Sequence, residues 1–242
     1  MKKFLLKIGM YGLVSFIMLN LIAWTSLYFM GKSSLYKPEY LTNGVKETQF
    51  DYVVLGSSTG LTTLNTSLID SLSGKKGFNI SIDDTSMSTH YLMLQHFYAS
   101  GKTTDRLILT ITPWDVVVSD PTLNNNDYRF LPYVHRDYVY DYYAEMEKGW
   151  FKTLTYSRYF PVFGVGYYNT ELFYPSVLVA FKPEKRNRFD EKGNYSYPDE
   201  GSGPDEKKAS VTNVEITNPF YERIKAFCAA HDIELILYQS PI

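Results

Sequence analysis

The decapeptide DYVVLGSSTG at residues 51–60 decides the fold. Its Tyr52-Val53-Val54-Leu55 run is short, apolar and β-branched and halts at Gly56-Ser57-Ser58, the pattern of a buried parallel strand ending in a tight turn. A helix should follow, carrying Leu61, Leu64, Leu68, Ile69 and Leu72 at helical spacing and closing at Gly74. Phe78-Asn79-Ile80-Ser81-Ile82 then reads as a second strand. Ser86 to Ser100 reads as a second helix with Tyr91, Leu94, Phe97 and Tyr98 near one face. Residues 106–111 (RLILTI) read as a third strand. This β-α-β-α-β alternation predicts an α/β domain with a right-handed, doubly wound parallel sheet, which places ligands at the carboxyl ends of its strands.

Downstream, from Pro113 to about Thr217, periodicity fades into aromatic-rich segments such as DYVYDYYAEMEKGWF and TYSRYFPVFGVGYYNTELFY. An insertion of helices and loops is expected at about 116–217. Its charged, Gly- and Pro-rich end at residues 183–208 should be an exposed loop. Asn218-Pro219 forms an N-cap and first-turn pair for a helix with Phe220, Ile224, Phe227 and Cys228 on one face, ended by His231-Asp232. Residues 234–238 (ELILY) are the fourth strand, and Gln239-Ser240-Pro241-Ile242 stands where another strand-to-helix loop is expected. A sheet without that loop and its helix should expose an apolar flank and be prone to aggregation.

Upstream, the stretch from Ile8 to Met30 holds no charged residue and is long enough to cross about 30 Å of hydrocarbon as a helix. Lys2, Lys3 and Lys7 precede it, which predicts a single-pass anchor (residues 1–31) with its N-terminus in the cytoplasm and the remainder on the extracytoplasmic side. The apolar run is longer than that of a cleaved signal peptide. Residues 32–50, polar with one Pro and one Gly, read as a stalk, and residues 51–242 as the exported domain. A single cysteine, Cys228, excludes an internal disulfide. Beyond the anchor 21 basic residues face 26 acidic ones, a formal charge of −5 that argues against nucleic acid as a partner.

Ser58 lies at the mouth of the first strand, beside a glycine and at a helix start, where backbone N–H groups are unpaired. That suits a nucleophile or an anion-binding turn, and equally a structural turn whose glycine and hydroxyls serve only the backbone. His90 and His96, six residues apart, fall on different helix faces, while His135 sits in the insertion and His231 at a helix end; each reads as a surface, capping or packing residue. No set of His, Cys or carboxylates has metal-ligand spacing, and no cofactor is expected. Tyr138, Tyr140, Tyr142, Tyr143, Trp150, Tyr156 and Tyr159 can stack on sugars or lie along a membrane, but packing of the insertion onto the sheet is the favoured expectation.

DYVVLGSSTG with its helix, then GFNISID, then RLILTITPWD, and finally a helix with ELILYQSPI, resembles the SGNH (GDSL-like) hydrolase superfamily. The likeness is greatest to its membrane-anchored branch with GSS in place of GDS, which includes alginate O-acetylation and lipoteichoic acid D-alanyl-transfer proteins. It covers residues 51–115 and 218–242. The resemblance implies a flavodoxin-like three-layer α/β/α domain with Ser58 as nucleophile and its own N–H as an oxyanion donor. Gly56, Ser57, Thr59 and Asn79 are the matching oxyanion- or ligand-binding candidates.

The chain departs from the family where Asp83-Asp84 replaces a glycine donor and Thr112-Pro113-Trp114-Asp115 replaces an asparagine donor. A D-x-x-H motif, which supplies the family's base, does not occur before Ile242, so an incomplete or inactive form is expected. The implied activity is that of an esterase or O-acyltransferase on acylated cell-envelope glycans, with a membrane acyltransferase as possible partner. The rival is a non-catalytic envelope scaffold that binds glycan or that acyltransferase.

Overall fold

A computed structural model of the protein describes residues 1–116, 122–195 and 216–239. In chain order its elements are α1 (Lys2–Lys32), α2 (Lys37–Asn43), β1 (Gln49–Phe50), β2 (Tyr52–Leu55), α3 (Ser58–Thr63), α4 (Thr66–Ser73), β3 (Gly77–Asn79) and α5 (Met87–Ala99). There follow β4 (Thr103–Thr104), β5 (Arg106–Ile111), α6 (Pro113–Val116), a 3-10 turn (Asp127–Tyr133), α7 (Asp137–Met146), α8 (Thr153–Tyr156), α9 (Val162–Tyr167), α10 (Phe173–Phe181), α11 (Pro219–Ala230) and β6 (Glu234–Gln239). They form two compact units, Met1–Leu35 with Tyr128–Lys185 and Tyr36–Asp127 with Arg186–Ile242.

The second unit is built on a four-stranded, wholly parallel sheet of order β3-β2-β5-β6. Strand β2 sits between its neighbours, with Val53 opposite Phe78 on one side and Leu107 on the other. All four of its residues are buried, which is why the run YVVL has no polar alternation. The chain leaves β2 for β3 on one side and returns to β5 on the other, so the direction of winding reverses at β2. Open parallel sheets have their ligand crevice outside the carboxyl ends at such a reversal. Helix α5 buries Leu92, Met93, Leu94 and Phe97, and α11 buries Phe220, Ile224 and Cys228 one turn apart. The two pack through Phe227 against Tyr91 and Tyr98, with ring centroids 6.4 and 5.1 Å apart.

Three local expectations need correction. The helix expected from Leu61 to Leu72 is two helices, because the Asn65 side chain accepts the Leu68 N–H (3.1 Å) and starts α4 afresh. The break turns the leucine stripe outward, leaving Leu68 and Leu72 exposed. Strand β3 stops at Asn79, although Ile80 and Ile82 still donate to Val54 O (2.8 Å) and Gly56 O (3.1 Å). The stretch expected as a stalk contains α2, whose Lys37, Glu39, Tyr40 and Leu41 are buried. Tyr40 packs on Phe78 and Phe189, and the Lys37 ammonium donates to Asn79 O (3.1 Å) and Gly193 O.

The start of the loop expected to be exposed is also docked. Asn194 Oδ1 accepts from Thr66 N and Thr66 Oγ1 (both 2.9 Å), and Lys192 Nζ pairs with Asp70 (2.8 Å). The remainder of that loop, 196–208, and the expected loop at 240–242 lie outside the described residues. Strand β6 has Ile236 and Leu237 exposed.

The first unit joins α1 to the aromatic insertion. Helix α1 has 31 residues and carries an apolar stretch long enough to cross a membrane. Ala23, Ser26, Leu27 and Met30 form its buried stripe, with α9 and α10 packed alongside. The insertion, expected to pack on the sheet, has a core of its own in which Phe130, Leu131, Val139, Tyr143, Met146 and Leu154 are buried. The Glu147 carboxylate orders it by accepting from Leu154 N (2.8 Å), Thr155 N (2.7 Å) and Thr155 Oγ1 (2.7 Å) at the start of α8.

Candidate active site

Close backbone approach shapes the turn after β2. A Cβ on Gly56 would lie 1.8 Å from Thr110 Oγ1, and one on Gly60 would lie 2.5 Å from the same atom and 2.7 Å from Ser81 Oγ. Glycines four residues apart therefore let the first turn of α3 settle against the tip of β5. Ser57 is the N-cap residue in extended conformation, its carbonyl accepting from Leu61 N (3.0 Å) and its hydroxyl facing Thr59 Oγ1 (3.3 Å). Ser58 is the first helical residue and is half-buried. Its carbonyl accepts from Thr62 Oγ1 (2.9 Å), whereas its hydroxyl has no hydrogen-bond partner among the described residues. The N–H groups of Ser58, Thr59 and Gly60 have no partner within the helix.

Gly56, Ser57, Ser58 and Thr59 are thus gathered at the reversal point, but Asn79 is not. It is fully buried, and its amide donates to Gly60 O (2.8 Å) while its Oδ1 accepts from Ser81 N (3.0 Å). Both polar ends of Asn79 bind backbone, so it clips α3 to the loop after β3 rather than facing a ligand.

That loop and the one after β5 bring further groups to the same end of the sheet. Asp84 has a left-handed backbone (φ 51°) that lets the chain reverse into α5. Thr85 Oγ1 donates to Ile82 O (2.6 Å) and lies 3.4 Å from His90 Nε2. His90, on the first turn of α5, is 1% exposed, and its Nδ1 and the nearby buried Ser81 Oγ have no hydrogen-bond partner among the described residues. Asp115, also buried, accepts from Thr112 N (2.9 Å) and Thr112 Oγ1 (2.7 Å). The Asp115 carbonyl accepts from Asn218 Nδ2 (3.1 Å), whose Oδ1 caps α11 at Phe220 N (3.0 Å). Burial pushes the His90 pKa below the ordinary imidazole value, and the Asp115 charge works against that shift. Burial therefore favours the neutral ring.

An uncommitted hydroxyl, unpaired N–H donors, a neutral imidazole and a carboxylate are the component groups of an activated serine. In the sequence His90 reads as a surface, capping or packing residue and Asp115 only as part of the stretch that replaces an asparagine donor, while Thr85 and Thr110 carry no signal. Only Asp115 left a legible trace, in the Thr112-x-x-Asp115 spacing of a capping turn. The other histidines serve packing or lie elsewhere. His96 Nε2 lies 3.0 Å from Pro38 O, His231 stacks on Phe227 (4.2 Å between ring centroids), and His135 belongs to the first unit. Among the described residues, no three His, Cys, Asp or Glu side chains are grouped to hold a metal ion. Comparison with known protein families, with curated proteins and with solved structures finds no match to this chain.

Proposed function

We propose that the chain is an envelope protein whose helix α1 crosses the membrane with its N-terminus in the cytoplasm. Its sheet-bearing unit acts outside the cytoplasm as an SGNH-like esterase or O-acyltransferase on acylated glycans. One observation carries this reading: the half-buried Ser58 hydroxyl stands without a hydrogen-bond partner among the described residues at the tip of β2, where the sheet reverses its winding. In the proposed reaction Ser58 Oγ bonds to the acyl carbon and its proton passes to the imidazole of His90, whose Nδ1 has no hydrogen-bond partner among the described residues. The proton then goes to the departing alcohol. The acyl group is finally transferred from Ser58 to water or to a second sugar hydroxyl, regenerating the serine.

The strand order supports a three-layer, flavodoxin-like arrangement. The order β3-β2-β5-β6 is the 2-1-3-4 sequence of that fold. Right-handed crossovers would put α3 and α4 on one face and α5 and α11 together on the other. The direct packing of α5 on α11 supports this arrangement.

The test is active-site labelling of the 242-residue chain in detergent with a fluorophosphonate. Covalent modification of Ser58, lost in Ser58→Ala and kept in Ser57→Ala, is expected. A folded chain that takes no label would refute the enzyme.

The engagement of Asn79 and Asp115 with backbone and Thr112 favours one alternative. In it the turn binds an acylated glycan, or a membrane acyltransferase that carries one, without chemistry. Binding to acylated polysaccharide that is unchanged in Ser58→Ala, together with absent labelling, would select this alternative.

A further inference from the structure

In the first unit the insertion runs beside α1 well below the end of that helix. Met30, Leu27 and Ala23 are covered on one stripe of α1. The same stripe continues to Asn20, whose Oδ1 accepts from Val162 N (3.3 Å), and to Phe16, whose ring lies 5.4 Å from Phe160 and 6.2 Å from Phe163. From Met30 to Phe16 is about 21 Å of helix at 1.5 Å per residue. The carbonyl of Pro183, just past α10, accepts from Ser34 N (2.8 Å), so the end of α10 stays level with the end of α1. Residues 160–181 therefore flank the half of the apolar segment next to its C-terminal end.

Two independent features of residues 160–181 fit hydrocarbon or interfacial surroundings. The outward side chains of Phe160 and of the two helices are apolar or aromatic, with Tyr167, Tyr174, Val177, Leu178 and Phe181 exposed, while the polar Asn169, Thr170 and Glu171 lie in the turn between α9 and α10, and Glu171 is the single charged residue from Pro161 to Phe181. The start of α9 is also closed internally, and that of α10 in part. In α9 the N–H groups of Val162, Phe163 and Gly164 bond to Asn20 Oδ1, Phe160 O and Ser157 Oγ. At α10 Tyr174 N bonds to Asn169 O and Ser176 N to Leu172 O, while Pro175 between them has no N–H. Helices at an aqueous surface can leave such donors to water, whereas a bilayer requires a partner inside the protein.

We infer that α9 and α10 form a membrane-docking hairpin, sunk into the leaflet beside the C-terminal half of α1. The occupant of this face is lipid, because the face is continuous with the exposed apolar side of α1, where Trp24 and Tyr28 point outward. The tyrosines among its outward residues suit the boundary between headgroups and acyl chains. The inference rests on α1 spanning the membrane but not on the chemistry at Ser58.

The test reconstitutes the unmodified 242-residue chain into vesicles of phosphatidylethanolamine and phosphatidylglycerol containing a carbene-generating hydrophobic photoprobe, and maps the adducts by mass spectrometry. Adducts are expected on α1 and also on peptides covering 160–181. Adducts on α1 alone would overturn the hairpin while leaving the anchor intact, and none on either would overturn the anchor itself. Cross-links between copies through 160–181, with no lipid adducts there, would assign the face to a second chain and overturn the inference. As a second measurement, an environment-sensitive fluorophore on Phe181→Cys should emit to the blue of the same dye on Lys148→Cys and be quenched by nitroxide-labelled lipid. Equal emission and quenching at the two positions would count against the hairpin.

Discussion

Gly56 illustrates how a single residue sets the geometry around Ser58. Its missing side chain is occupied by Thr110 Oγ1, so Gly56→Ala should destabilise the sheet-bearing unit by about 1–3 kcal/mol through overpacking. Chemical denaturation checks this, and Gly56→Ala with Thr110→Ala should recover part of the loss, a coupling that a double-mutant cycle would read. His90 has a consequence for pH. Its ring stays neutral in the fold, whereas in the unfolded chain it titrates near about 6.5. Below that pH the unfolded state binds more protons, so stability should fall as pH falls from about 7 toward 5.5. His135 is shifted the same way, chiefly by burial and then by Arg136 and Arg158. His90→Asn should therefore make the slope of melting temperature against pH shallower without abolishing it.

Among the elements, helix caps explain where periodicity alone misleads. The apolar spacing from Leu61 to Leu72 is genuine in the sequence, yet Asn65 offers its own side chain to Leu68 N and divides the helix. Asn65→Ala should cost about 1 kcal/mol, as an N-cap lost at an exposed position does. Asn218→Ala should cost more, since that side chain caps α11 and also donates to the carbonyl of Asp115, tying the loop after β5 to the last helix. Urea unfolding of both variants would rank them, and a smaller loss for Asn218→Ala would contradict this tie. Strand β5 and helices α5 and α11 begin and end within about a residue of their sequence-predicted limits, because each is bounded by its own cap or turn residues.

Across the whole molecule, Cys228 offers a probe of cooperative opening. Its thiol is buried on α11 against α5, and burial pushes its pKa up to about 11. Maleimide at neutral pH should leave it unmodified until denaturant reaches the unfolding transition; rapid labelling of the native chain would show that α11 opens locally. Legible in the sequence alone are the long apolar N-terminal helix, the buried YVVL strand with its Gly56-Ser57-Ser58 turn, the parallel β-α-β alternation and the capped α11. Each of these is written in neighbouring residues, through hydrophobic run length, β-branching and cap chemistry. That Lys37 reaches Asn79 and Gly193 and that Asn194 holds Thr66 emerges only in the folded chain. The tertiary structure alone also joined the aromatic insertion to α1. Those outcomes depend on polar groups far apart in the chain finding partners once burial removes water, and no local pattern encodes which distant partner each will meet.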